Sequence, residues 1–127
     1  MNVREKKTHK YLEQLGFMVH TVSKPAHFGM SHDIFNLWDH IAVVPKGIES
    51  PIPFAIRLPH VIIEHNMTNH DTWFNVPEGH TIYIQTKSRK QYGKDLDKYR
   101  DFPSTKFLFV WTKDKSNKWN EPYIKLL

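Results

Sequence analysis

The sequence predicts an α/β (α+β) fold: a mixed β-sheet flanked by two helices, with one insertion between strands. Three observations predict it. Lys106-Phe-Leu-Phe-Val-Trp-Thr112 is a near-continuous apolar run, as expected of a strand buried on both faces. Asp39-His-Ile-Ala-Val-Val44 and Thr81-Ile-Tyr-Ile-Gln-Thr-Lys-Ser88 are rich in β-branched residues and read as two further strands. Residues 3–15 and 89–101 instead carry apolar side chains at spacings close to one helical turn.

The elements follow in order. In 3–15, Val3, Tyr11, Leu12 and Leu15 fall near one side, and Gly16 supplies the C-terminal stop. Phe17-Met-Val-His-Thr-Val22 is the first strand, and Ser23 to Ser31, with Pro25 and Gly29, is a loop. Asp33-Ile-Phe-Asn-Leu-Trp38 is either a short helical turn or the approach to the second strand at 39–44, which Pro45-Lys-Gly47 ends. Residues 48–80 hold four of the eight prolines and only weak strand patterns, at 54–58, 60–65 and 72–76. They read as an inserted hairpin or a long excursion, with any proline in the sheet confined to an edge or bulge. The third main strand is 81–87. The second helix, 89–101, sets Tyr92, Leu96 and Tyr99 on one face against Lys and Arg on the other, and Pro103 ends it. A polar turn at 113–120 leads to a last strand at 122–127. The expected order is α-β-β-(insert)-β-α-β-β, with helices on both faces of the sheet.

At 127 residues the chain is expected to form a single domain, 1–127, with the insertion at about 48–80. Hydrophobic residues at 39% and aromatics at 13% exclude a disordered chain. No apolar run approaches the roughly 18 residues that cross a bilayer, so no membrane partner is expected. The start, Met-Asn-Val-Arg-Glu-Lys-Lys, has no apolar signal core, and cysteine is absent. Disulfides and thiolate metal sites are thereby excluded, and a cytoplasmic location is expected, in a prokaryotic or virus-infected host cell. The net charge of +5 favours polyanionic partners, although a basic surface that merely solubilises would look the same.

The chemistry is concentrated in two of the strands. Side chains alternate along a strand, so Gln85 and Lys87 share one face while Ile82, Ile84 and Thr86 take the other. An acid at Asp39, an amide oxygen at Gln85 and an ammonium at Lys87, all at one sheet end, can hold a divalent cation and a phosphate. Phosphodiester hydrolysis needs an activated water, neutralisation of developing charge and a proton for the leaving oxygen, all of which Mg²⁺ (or Mn²⁺) can serve. Mg²⁺ takes hard oxygen ligands and keeps several waters. Asp39, Gln85 and the Thr86 carbonyl are the metal-ligand candidates, and Lys87 orients water or grips the scissile phosphate.

With these residues in hand, the pattern resembles the PD-(D/E)XK nuclease superfamily, which has a restriction-endonuclease-like fold. The resemblance rests on Asp39-His-Ile-Ala-Val for the first acidic motif and Ile84-Gln-Thr-Lys-Ser88 for the second. It covers most of the chain by element order, leaving out 48–80. Small members such as archaeal Holliday junction resolvases and phage or viral relatives carry a helical Glu eleven residues before the Gly-Phe that opens the first strand. Glu5 stands eleven before Gly16-Phe17 here. The resemblance implies Glu5 and Asp39 as metal ligands, Gln85 as the second-motif ligand and Lys87 as the catalytic lysine. It implies a Mg²⁺-dependent DNA endonuclease acting on branched or structured DNA. So small an enzyme is expected to cut two strands as a homodimer. Gln85 departs from the usual Glu or Asp, and one lost negative charge weakens a metal site.

Blander readings stand beside these. Asp39 can be a strand-initiating acid, Lys87 a solvated strand end, and Glu5 an acid that favours the helix dipole by about 0.3–1 kcal/mol. Asp33 is either an auxiliary ligand or, the favoured reading, a cap for the turn that follows it. His60 and Glu64 would share a strand face with His65 opposite; His65, His70 and Asp71 could bind a metal, but surface scatter of histidines is the favoured reading. Ser88, Arg89 and Lys90 are expected to meet DNA phosphates at the start of the second helix. Trp111 is expected in the core, and Trp73 on a base or at a dimer interface. The competing functions are a catalytically inactive nucleic-acid-binding protein on the same fold and a viral accessory interaction module.

Overall fold

In a computed structural model, the described residues are 2–22, 34–35, 37–54, 72–88, 96–113, 116, 118–119 and 122–127. Asp33, the His60–Asp71 segment, Arg89, Lys90 and most of the expected second helix lie outside them.

The described residues form an α+β arrangement in which helices flank a predominantly β-stranded core. Helix α1 (Val3–Gln14) begins at Asn2, whose side chain accepts the Glu5 backbone N–H, and its C-cap is Leu15. Gly16 then adopts φ 101°, a left-handed conformation costly for other residues. A Cβ there would also sit 3.0 Å from the Ser50 Oγ, so the close approach of another segment reinforces the choice of glycine.

Strands β1 (Met18–Thr21), β2 (His40–Val43), β5 (Thr81–Ser88), β6 (Lys106–Trp111) and β7 (Tyr123–Leu126) make one sheet in the order β1-β2-β5-β6-β7. All neighbours are antiparallel except β5 and β6, which run parallel. The connection between that parallel pair contains a short helix, α2 (Asp97–Arg100). Among the described residues, no helix is long and apolar enough to cross a membrane.

Alternation along the strands divides the core in two. On one face Ala42, Ile82, Ile84, Phe107, Phe109 and Ile124 are buried beneath Leu12 and Phe17. Tyr11 closes this layer edge-on against Phe109 and Trp111, with ring centroids 5.7 and 6.2 Å away. On the other face Leu108, Val110 and Tyr123 are covered by Leu96 and Leu127. Beside them Trp38, fully buried, packs 5.2 Å from Tyr99 and 5.3 Å from Phe102. The run 106–111 is buried on both faces because α1 takes its odd-numbered side chains and the α2 region its even-numbered ones. Ile34 and Trp38 form an isolated bridge, and the Leu37 and Trp38 N–H groups both donate to the Ile34 carbonyl.

The remaining strands, β3 (Ser50–Phe54) and β4 (Thr72–Val76), pair with each other as a separate two-stranded sheet. Ile52 and Val76 are buried in the α1-side core, and Phe54 and Phe74 pack against Phe107 at 6.5 and 5.9 Å. The described ends of the expected insertion therefore belong to the core. Pro51 and Pro53 are tolerated because their missing N–H donors fall on one edge of β3, away from its partner.

Candidate active site at the end of the sheet

The register of β2 against β5, with His40 opposite Ile84, brings Asp39 beside Gln85. The Asp39 backbone N–H donates to the Gln85 Oε1 at 3.2 Å. The Thr86 backbone N–H donates to the Asp39 Oδ2, also at 3.2 Å. Both contacts extend the ladder beyond its last regular pair, using side chains as acceptors. Asp39 is 2% exposed, and a carboxylate so enclosed is tolerable only where donors satisfy it. Lys87 lies two residues beyond Gln85 on the same face, its Nζ 5.3 Å from the Tyr99 ring centroid. Lys98 approaches the same ring at 5.1 Å, so two ammonium groups gather on one buried phenol.

The donor set available to a cation here is hard oxygen. Asp39 contributes a carboxylate, Gln85 an amide oxygen with a second lone pair, and the Thr86 carbonyl belongs to the same sheet end. One negative charge and neutral oxygens suit Mg²⁺, which binds through one or two carboxylates and retains much of its water. A caged ion would need more acids. Among the described residues, no three His, Asp or Glu side chains converge as a metal cage would require.

Glu5 approaches the sheet from α1, where it is buried. Its Oε1 accepts a hydrogen bond from the Asn2 Nδ2 at 3.0 Å, closing a reciprocal cap with the Glu5 N–H and Asn2 Oδ1 contact at 2.8 Å. Ser88 ends β5, half-buried beside Trp111 in the register.

Behind Asp39, on the α1 side, lies a polar chain that sequence reasoning missed. His40 is fully buried, and its two ring nitrogens meet hydroxyls: Nδ1 with Thr21 Oγ1 at 2.7 Å and Nε2 with Thr86 Oγ1 at 2.9 Å. Thr21 Oγ1 continues to His9 Nδ1 at 2.7 Å, and His9 Nε2 reaches Glu13 at 3.3 Å. In the other direction Thr86 Oγ1 meets Thr8 Oγ1 at 3.2 Å, and Thr8 accepts the Trp111 indole N–H at 2.7 Å. Hydroxyls can donate or accept, so the chain is satisfied by either imidazole tautomer. One signal could have revealed it. His40 alternates with Ala42, as Thr86 does with Ile84, which puts polar groups next to one another at the end of an otherwise apolar face.

No family model matches the chain, and no curated protein or solved structure proved similar to it.

Proposed function

We propose that the protein is a Mg²⁺- or Mn²⁺-dependent DNA endonuclease of the PD-(D/E)XK type, with branched or structured DNA as the favoured substrate. The observation that carries this reading is the reciprocal pair at the sheet end: Asp39 N–H to Gln85 Oε1, and Thr86 N–H to Asp39 Oδ2. It fixes one carboxylate against an amide oxygen on neighbouring strands, with Lys87 on the same face. The mixed sheet, antiparallel through β1-β2-β5 and parallel between β5 and β6, supports the reading at the level of fold class alone.

Asp39 and Gln85 would hold the metal with the Thr86 carbonyl, and the metal would supply an acidified water and charge neutralisation. Asp39 is held in place by the Thr86 N–H, so its carboxylate would meet a cation with little reorganisation, the preorganisation on which such sites depend. Lys87 binds a non-bridging phosphate oxygen, and the Tyr99 ring beneath it limits how far its ammonium can swing. The buried His40–Thr86 contact ties together the two neighbouring strand ends that carry these groups. Ser88, and Arg89 and Lys90 after it, would meet flanking phosphates, and a homodimer would present two such sites to two strands.

One specific observation favours a second reading, a nucleic-acid-binding protein without catalysis. Gln85, a neutral amide, stands beside Asp39 where the second motif usually carries a carboxylate. Incubation with four-way junction, duplex and single-stranded DNA in Mg²⁺ or Mn²⁺ separates the two. The nuclease reading expects metal-dependent products that disappear in Asp39→Ala and Lys87→Ala. DNA binding without products in either metal selects the second.

A further inference from the structure

On the α1 side of the same sheet end, three cations gather around one indole. The Arg4 guanidinium carbon lies 5.4 Å from the Trp119 ring centroid, the Lys7 Nζ 5.7 Å and the Lys113 Nζ 4.7 Å. Lys7 also stands 5.9 Å from the Trp111 ring. The residues come from separate parts of the chain: the first two turns of α1, and the Lys113–Trp119 bridge that follows β6. None of the three cations makes an ion pair with a described residue, and the Arg4 Nε is buried without a hydrogen-bond partner.

Like charges repel, and a carboxylate would be the ordinary way to hold them together. Here the face of an aromatic ring does so, attracting cations without neutralising them. Among the described residues, the cluster is therefore a concentration of positive charge with no paired carboxylate, suited to an anion.

Its position says which anion. β5 and β6 are parallel, so the ends that carry Lys87 and Trp111 are the same edge of the sheet. Hydrogen bonds connect the two places directly: Asp39 to Thr86, Thr86 to Thr8, and Thr8 to Trp111. Lys7 is the neighbour of Thr8. Cationic groups thus flank the Asp39 pocket on both faces, Lys87 and Lys98 on one and Arg4, Lys7 and Lys113 on the other. A ligand that meets both sets must carry anionic charge at repeated intervals.

We infer that Arg4, Lys7 and Lys113, organised by Trp119, form a second phosphodiester-binding site that grips a nucleic-acid strand as it leaves the Asp39 pocket across the sheet end. This rests on the proposal that the protein acts on DNA. Because the cations cover the indole, the site reads phosphate and not base, and it contributes affinity without sequence preference.

The test is the salt dependence of binding of the full chain to a fluorescein-labelled duplex, followed by anisotropy without divalent metal. Lys7→Gln and Lys113→Gln, each checked for an unchanged melting temperature, should each flatten the slope of log affinity against log salt by about one. Lys113→Arg should restore it. Trp119→Leu should weaken binding although it removes no charge, since the cations lose their platform. Wild-type slopes in both glutamine variants overturn the site while leaving the DNA reading intact. No binding by the wild type at low salt overturns both. Equal affinity for polyglutamate and for DNA at matched salt assigns the patch to acidic protein segments, which also overturns it.

Discussion

Asp39 and Gln85 are joined by the Asp39 backbone N–H, which donates to the Gln85 Oε1 at 3.2 Å across two antiparallel strands. The amide therefore has a structural duty as well as a chemical one, and the substitution Gln85→Glu tests both. A glutamate can accept the same hydrogen bond, but it sets a second carboxylate beside a buried one. Two like charges so close destabilise the fold unless one is protonated or a cation lies between them. Gln85→Glu should melt below wild type in chelator. Adding Mn²⁺ or Mg²⁺ should raise its melting temperature by more than that of wild type, with cleavage preserved or increased. Differential scanning fluorimetry with and without metal reads this directly, and equal metal-induced shifts in the two proteins would remove Gln85 from the site.

Asp39→Asn separates chemistry from architecture. Its amide oxygen can still accept the Thr86 N–H, whereas Asp39→Ala orphans that donor at a cost of about 1–3 kcal/mol. Asparagine should fold with a small loss of stability and lose cleavage as completely as alanine does. Denaturant melts set beside single-turnover cleavage rates check the pair. Retained cleavage in Asp39→Asn would show that the carboxylate charge is not needed.

Thr86→Val removes the hydroxyl shared by His40 and Thr8 while keeping the side-chain shape. Leaving a buried imidazole nitrogen without its partner should cost about 1–3 kcal/mol. Because the Thr86 backbone also bonds Asp39, the strand end should loosen and cleavage should fall as well. Thr86→Ser, which keeps the hydroxyl, should recover both. Urea denaturation of the two variants is the measurement.

Ile52→Ala tests whether the proline-rich segment is a dispensable insertion. Ile52 is fully buried against the main core, so its truncation should cost about 2–5 kcal/mol, as for any large aliphatic core residue. An insertion merely draped on the domain would tolerate the change almost without loss, which a single urea melt decides.

Lys125 gives a pH signature. Burial, and then the Arg100 charge, hold its pKa below the ordinary lysine value of 10.5. The folded state therefore disfavours the ammonium relative to the unfolded chain. That penalty is present in full below the lowered folded pKa and fades as pH rises toward 10.5. Lys125→Met should stabilise the protein near neutrality, and the gain should shrink in alkaline melts.

Much of this was legible in the sequence because strands have a period of two. Gln85 and Lys87 had to share a face, and the apolar run 106–112 had to be covered on both sides. The strand starts expected at Phe17, Asp39 and Thr81 fall within one residue of those observed. Residues 48–80 were opaque for a physical reason. Pro51 and Pro53 mark an edge, and an edge strand in a separate small sheet can still bury Ile52 and Val76 in the main core. Glu5 was placed by its spacing to Gly16, and what that spacing did not reveal is the local cap it closes. Asn2 provides the local partner that its carboxylate takes. The His40 chain escaped notice because each member is an ordinary residue alone, and only the register of β1, β2 and β5 unites them.

The central claim is that the Asp39 and Gln85 oxygens share one cation. Crystals soaked in Mn²⁺ and measured at an anomalous wavelength test it most directly. The account expects one anomalous peak bonded to Asp39 at about 2.1 Å, with the Gln85 Oε1 or the Thr86 carbonyl completing the protein ligands. A fully soaked crystal with no peak there, from protein that nonetheless cleaves DNA in Mn²⁺, would contradict it.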